Sequence, residues 1–261
     1  MTTDERMMSR CIALARRAEG ETSPNPMVGA VLSKGGRPIA EGYHKGPGAD
    51  HAEVAVLSAA GRKARGATLY VNLEPCCIEG RTPPCVPSII QAGVGRVVAA
   101  MLDPNPRVQG RGVRQLRESG IVVDVGVLEQ KARRLNEVFC RWITEGEPFV
   151  VVKTAMTLDG KIATKSGKSR WISSPEARRF AHRLRAAHDA VMVGIDTILA
   201  DDPELRVRGL RARRRQPRRV VLDSRCRTPL GSKLLSAPVS PPIIVTTSRA
   251  PKPRLAHLAE R

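Results

Sequence analysis

The chain has 261 residues, enough for two modest domains; 41% are hydrophobic and only 3% aromatic, which fits a globular protein with an aliphatic core. No apolar run is long enough to span a bilayer, and the first twenty residues mix acids with bases, so they do not read as a signal peptide and the expected location is a reducing cytoplasm. Lys and Arg number 44 against 25 Asp and Glu, a formal charge of +19, but eight of the arginines fall within residues 206–219, which reads as a solvated loop rather than a nucleic-acid surface.

In chain order, residues 4–19 carry apolar side chains at helical spacing and stop at Gly20. Residues 22–26 form a Pro-rich loop. A strand over 27–32, a turn at Lys34-Gly35-Gly36-Arg37 and a strand over 38–43 make a hairpin. Asp50 reads as the N-cap of a helix over 51–60. A buried strand over 67–73 delivers Glu74-Pro75-Cys76, and a helix over 86–92 follows with Cys85 near its start. Strands over 96–101 and 121–127 alternate with helices over 112–118 and 129–142, the pattern of an α/β layered domain.

Residues 144–148 read as a linker, which gives domains at 1–145 and 148–261. The second begins with an apolar strand over 149–156 and a turn at Leu158-Asp159-Gly160-Lys161. Ser174-Pro175 opens a helix. Strands follow over 190–194, 220–223 and 243–247, and a polar, basic tail closes the chain.

The chemistry concentrates at Asp50-His51-Ala52-Glu53 and at Cys76, Cys77 and Cys85. Three of the six cysteines crowd into ten positions, which suits metal ligands better than a disulfide framework, while Cys11, Cys140 and Cys226 read as buried or half-buried apolar side chains. A catalytic zinc takes three protein ligands and leaves its fourth position to water. His51, Cys76 and Cys85 would be those ligands, and Glu53, two residues beyond the histidine, the proton carrier of a zinc-dependent base deaminase. The alternative is a structural zinc closed by Cys77, which would leave Glu53 without a role.

Further stretches carry a resemblance. Pro24-Asn25-Pro26-Met27-Val28-Gly29, His51-Ala52-Glu53, Leu73-Glu74-Pro75-Cys76, Gly80-Arg81-Thr82-Pro83-Pro84-Cys85 and Asp103-Pro104-Asn105-Pro106 resemble the bifunctional riboflavin-biosynthesis deaminase/reductase family. The likeness continues through residues 153–160, Ser169-Arg170-Trp171-Ile172 and residues 197–203. It implies a cytidine-deaminase-like three-layer α/β domain that deaminates a phosphoribosylated diaminopyrimidinone. A dihydrofolate-reductase-like α/β domain would follow, reducing the ribosyl chain of the product with NADPH.

By the same resemblance, Asn25, His44 and Arg81 fall at pyrimidine-binding positions, and Ala155, Trp171, Thr197, Asp201 and Ser224 at positions near NADPH. Ser169, Arg185, Leu205 and Arg208 fall at positions near the phosphoribosyl group. Read without it, Trp171 would be core packing and Arg185 a solvated helix face. Two departures stand out: Cys77-Ile78-Glu79 replaces a segment that usually carries a histidine, and the Glu-Gly-Gly-Pro phosphate turn of the reductase does not occur before Arg261. The expectation is therefore an intact zinc deaminase joined to a shortened, incomplete reductase.

The expected partner is a phosphorylated small molecule, with neither nucleic acid nor membrane; self-association into a homo-oligomer is compatible with the pattern. The rivals are a nucleic-acid base deaminase, which shares His-Ala-Glu but spaces its cysteines two residues apart, and a zinc-stabilised RNA-binding protein, which needs no Glu53.

Overall fold

The computed structural model describes residues 1–169, 171–210 and 215–260, so Arg170 of the Ser169–Ile172 motif and positions 211–214 of the arginine-rich stretch lie outside the described residues. The chain divides into two compact units, Met1–Val151 and Val152–Arg261.

The first unit begins with helix α1 (Thr3–Ala15), started by a reciprocal cap in which Thr2 Oγ1 accepts from Glu5 N–H and the Glu5 carboxylate accepts from Thr2 N–H. Its buried face, Met7, Met8, Cys11, Ile12 and Ala15, lies across a five-stranded sheet ordered β2-β1-β3-β4-β5. The strands are β1 (Gly29–Lys34), β2 (Arg37–Tyr43), β3 (Thr68–Val71), β4 (Arg96–Ala99) and β5 (Val122–Val125). β1 pairs antiparallel with both β2 and β3, while β3, β4 and β5 run parallel. Gly35 and Gly36 both adopt positive φ, which is what lets two residues turn the β1–β2 hairpin.

Helices α2 (Ala52–Ala60), α3 (Cys85–Gln91) and α4 (Arg111–Glu118) contribute Val56, Leu57, Val86, Ile89, Val113 and Leu116 to one aliphatic core with the strand residues Val31, Leu69, Val71, Val97 and Val98. The expected helix over 129–142 is two, α5 (Glu129–Leu135) and α6 (Glu137–Glu145), broken at Asn136. α6 also runs through Thr144 and Glu145, which had read as linker.

In the second unit, Ser174 caps α7 (Pro175–Ala187) by accepting from Ala177 N–H, with Pro at the first helical position as expected. A parallel sheet ordered β6-β7-β8 follows, from β6 (Ala190–Gly194), β7 (Arg218–Leu222) and β8 (Ile243–Val245). Helices α8 (Ile195–Asp201), α9 (Lys233–Ser236) and α10 (Lys252–Ala259) were not foreseen, and α10 occupies the supposed tail. One sheet face packs Val221 against Ile195, Ile198, Leu205 and Leu234; the opposite face leaves Met192, Leu222, Ile243 and Val245 exposed.

Two expectations are corrected here. Residues 149–156 form no strand, because a strand exists only with a hydrogen-bonded neighbour and no ladder includes them among the described residues. The arginine-rich stretch is not simply a solvated loop: Arg219 lies on β7, fully buried, donating to the carbonyls of Glu204, Leu234 and Ser240.

Candidate active site

Three element ends converge at the carboxyl end of β3, where parallel α/β sheets commonly bind ligands. His51 itself is the N-cap of α2, with extended backbone, which corrects the assignment of that position to Asp50. Cys76 follows β3, and Cys85 is the first residue of α3, with its backbone N–H donating to Cys76 Sγ at 3.3 Å.

The ligand atoms of His51, Cys76 and Cys85 all lie within 4.8 Å of one another. His51 Nδ1 is 3.1 Å from Cys85 Sγ and 3.4 Å from Cys76 Sγ. Tetrahedral zinc, with bonds of about 2.3 Å to sulfur and about 2.1 Å to nitrogen, sets such neighbours about 3.6 Å apart. Both nitrogen–sulfur distances lie within about half an ångström of that value, so the triad fits zinc. Cys77 is not in the cluster, so a fourth sulfur ligand is not assembled.

The electrostatics favour a metal. Hydrogen bonding from Cys85, then from His51, draws the Cys76 thiol well below its ordinary pKa, and the same contact with Cys76 drives Cys85 upward. The thiolate is the form in which a cysteine binds a metal. Glu53 is 4% exposed in the first turn of α2, and burial, reinforced by Cys76, pushes its carboxyl up to about 7. That is the range in which a general acid–base group exchanges protons at neutral pH.

The predicted pyrimidine contacts sit beside the triad. The His44 ring meets the His51 ring edge-on at 5.4 Å between centroids. His44 Nδ1 lies 3.1 Å from the Asp50 carbonyl, which can only accept, so Nδ1 carries the proton and Nε2 accepts from Asn25 Nδ2 at 3.0 Å. Burial holds His44 below its ordinary pKa, in keeping with that neutral form. Arg81 is exposed on the loop whose next residue, Thr82, places Oγ1 3.1 Å from His51 Nε2.

Several supporting residues had no assigned role in the sequence. Thr82 fixes the histidine ring from behind, as partners of metal-bound histidines do. The buried Glu74 carboxylate accepts from the N–H groups of Asp103, Gly110 and Val113, fastening the start of α4 to the strand end that carries Cys76. A Cβ on Gly112 would stand 2.2 Å from the Pro75 carbonyl, so only glycine allows that approach. A buried-looking acid next to Pro-Cys was the available signal for Glu74; for Thr82 there was only its place in the loop.

In the second unit, Thr197 and Asp201 are exposed on α8, one turn apart, just beyond β6, and Ser224 is exposed just beyond β7. The ends of two adjacent parallel strands thus present all three. Arg185 Nη1 donates to the Arg206 carbonyl at 2.8 Å, and Arg208 N–H donates to His182 Nδ1, so the 205–208 segment lies along α7. Burial and the nearby Arg208 hold Arg185 below its ordinary pKa, so it is not on a solvated face. Leu205 is buried with φ of 55°, a strained left-handed backbone. Ser169 and Ala155 are half-buried; Trp171 is 70% exposed under the Arg178 guanidinium and so is not core packing. Ser169, Ala155 and Trp171 precede α7, in a stretch whose described residues form turns and no helix or strand.

A sheet that brings His and two Cys together beside a buried Glu defines a zinc-binding deaminase of the cytidine-deaminase class, and residues 1–101 match the family model for the cytidine and deoxycytidylate deaminase zinc-binding region. Residues 148–259 match the RibD C-terminal domain. The Aquifex aeolicus riboflavin biosynthesis protein RibD is 50% identical over 93% of this chain and 68% of its own length; the Escherichia coli protein is 45% identical over 90% and 67%. Acinetobacter baumannii RibD superposes with a TM-score of 0.89 at 43% identity, covering 98% of this chain and 72% of its own. The Thermotoga maritima diaminohydroxyphosphoribosylaminopyrimidine deaminase/5-amino-6-(5-phosphoribosylamino)uracil reductase gives 0.87 at 41% identity, with 97% and 72% covered. The chain belongs to the RibD family of riboflavin biosynthesis proteins.

Proposed function

We propose that the first unit hydrolytically deaminates a phosphoribosylated diaminopyrimidinone, with His51, Cys76 and Cys85 holding zinc and Glu53 as the proton-transfer residue. The carrying observation is the meeting of His51 Nδ1 with both cysteine sulfurs beside buried Glu53. Bound there, zinc would supply a water of near-neutral pKa. Glu53 would take the first proton of the attacking water and pass it to the ring nitrogen, then take the second from the hydroxyl of the adduct and pass it to the amino group, which leaves as ammonia while the carbonyl forms. Asn25, its Nδ2 committed to His44, offers its carboxamide oxygen to the pyrimidine edge, and Thr82 keeps Nδ1 of His51 aimed at the metal. Arg81 lies on the exposed loop beside them, suited to the substrate's anionic end.

For the second unit we infer the NADPH-dependent reduction of the ribosyl chain. Thr197, Asp201 and Ser224 would face the dinucleotide with Ala155 and Trp171, and Ser169, Arg185, Leu205 and Arg208 would face the phosphoribosyl group. The exposed ends of β6 and β7 support this, being where open parallel sheets receive nucleotides. The setting is cytoplasmic, and the substrate a free small molecule rather than nucleic acid.

The test follows ammonia release and NADPH oxidation together on zinc-loaded protein supplied with the diaminopyrimidinone phosphate and NADPH. We expect ammonia first, and slower NADPH oxidation that depends on it, because the segment bearing Ala155 forms no strand and one face of β6-β7-β8 stays bare. Absence of ammonia would remove the deaminase assignment; ammonia without NADPH loss would remove the reductase one.

A further inference from the structure

Asn136 is 2% exposed at the junction of α5 and α6, and no chemistry assigned above uses it. Its side chain does not cap a helix; it reaches 109 residues back along the sequence to one peptide unit on each side of Met27. Met27 N–H donates to Asn136 Oδ1 at 2.8 Å, and Asn136 Nδ2 donates to the Met27 carbonyl at 3.0 Å. A carboxamide is the side chain that offers one acceptor and one donor side by side, so it can mimic the neighbouring strand that Met27 lacks. Asn72 completes the clamp: its Nδ2 also donates to the Met27 carbonyl, at 2.9 Å, and its Oδ1 accepts from Gly29 N–H at 2.7 Å.

Everything this clamp holds lies on the path to Asn25. The segment 22–28 has no helix or strand of its own, yet its carboxamide at Asn25 must sit beside His44 and the metal ligands. Downstream, Val28 is fixed by His44 N–H donating to its carbonyl at 2.8 Å. Upstream, Asn25 N–H donates to Thr22 O. Between them, the Met27 backbone is held from the side, by Asn72 from β3's end and by Asn136 from the α5–α6 break.

We infer that Asn136 is a positioning residue for deamination: it sets the height of the 25–27 segment over the metal triad, and thereby the fit of the pyrimidine against Asn25. The inference rests on the deaminase reading above. It also gives the helix break a purpose. Residues 132, 135, 136, 139 and 140 lie on the inward stripe of α5–α6, and at Asn136 the backbone leaves helical values, with φ of −106° and ψ of 23°.

The test compares the full chain with Asn136→Leu, which keeps the branched four-atom shape, though bulkier, and removes both hydrogen bonds, and with Asn136→Asp, which keeps the acceptor and loses the donor. Zinc content, KM and kcat for ammonia release, and hydrogen exchange of peptides spanning residues 22–29 are read on each. We expect full zinc content, a KM raised about tenfold with kcat changed much less, faster exchange confined to 22–29, and Asn136→Asp intermediate. Unchanged KM and unchanged exchange in a folded, zinc-loaded Asn136→Leu protein would overturn the inference, as would a loss of kcat and zinc together, which marks a general structural role. Should Asn136→Leu fail to fold, Asn136→Asp carries the same comparison. If the wild-type protein releases no ammonia, the deaminase reading falls by itself, and the exchange of 22–29 then decides whether Asn136 orders this segment.

Discussion

The role proposed for Glu53 makes two demands that its environment reconciles: burial pushes its carboxyl up to about 7, and it lies beside the His51–Cys76–Cys85 cluster, where a metal-bound water would stand. Glu53→Gln keeps the size and removes the exchangeable proton. The expected result is unchanged zinc by elemental analysis and ammonia release slowed by about a thousandfold or more. Thr82 acts one step further out, through His51 Nε2. Thr82→Val should weaken zinc affinity about tenfold in a competitive chelator titration while leaving the fold intact. At this scale the sequence was most informative where the chemistry is written in short spacings. His51 and Glu53 are two residues apart, and Cys76 and Cys85 bracket one loop, so a single stretch announces the metal. Thr82, Glu74, Asn72 and Asn136 act across 29 to 109 residues of chain on backbone or ring atoms, and no local pattern records such a contact. Asn136 came nearest to legibility, as a polar residue on the apolar stripe of a predicted helix.

Among elements, α1 shows how closely the layers meet. A Cβ at Gly29 would stand 2.2 Å from the Cys11 carbonyl and 2.8 Å from the Ala15 nitrogen, so α1 rests directly on the β1 backbone. Gly29→Ala must push the helix off the sheet, and should cost about 3 kcal/mol in urea unfolding. The same helix is tied at its start, where Arg96 of β4 pairs with Asp4 at 2.8 Å and with Asp124 of β5, and Tyr70 of β3 donates to Asp4. The bond from Arg96, opposed by burial and helped by Tyr70, holds the Asp4 carboxyl below its ordinary 3.8. A depressed acid stabilises the fold above the unfolded pKa and loses that contribution as pH falls through the folded one. Asp4→Asn should therefore lower stability by about 1 kcal/mol at pH 7, and the gap should close as unfolding is measured below about pH 4. Element types in the first unit were readable because periodicity and Gly or Pro boundaries agree with the tertiary outcome. The 149–156 segment shows the limit: its β-branched run has the propensity for a strand, but propensity supplies no partner.

Taken as one molecule, the chain concentrates its implied metal chemistry in one unit and its excess arginine in the other. The charge is partly internal, since Arg219 spends its guanidinium on three carbonyls that join the loops around β7, which a count of +19 cannot reveal. The proposed metal ligands come from the start of α2, the end of β3 and the start of α3, so a cation there would tie three separately placed elements together within Met1–Val151. None of them belongs to Val152–Arg261. Ligand binding stabilises only the state that holds the site, by about 2.7 kcal/mol when the metal stands at a hundred times its dissociation constant. For a unit of this size that corresponds to a shift of roughly 5–10 °C. Stripping the protein with a chelator should thus lower the calorimetric transition of the first unit by about that much and leave the second unit's in place. Zinc should restore it, and Cys85→Ala should abolish the response. A shift of both transitions together, or a response that survives Cys85→Ala, would place the metal somewhere other than the His51–Cys76–Cys85 triad.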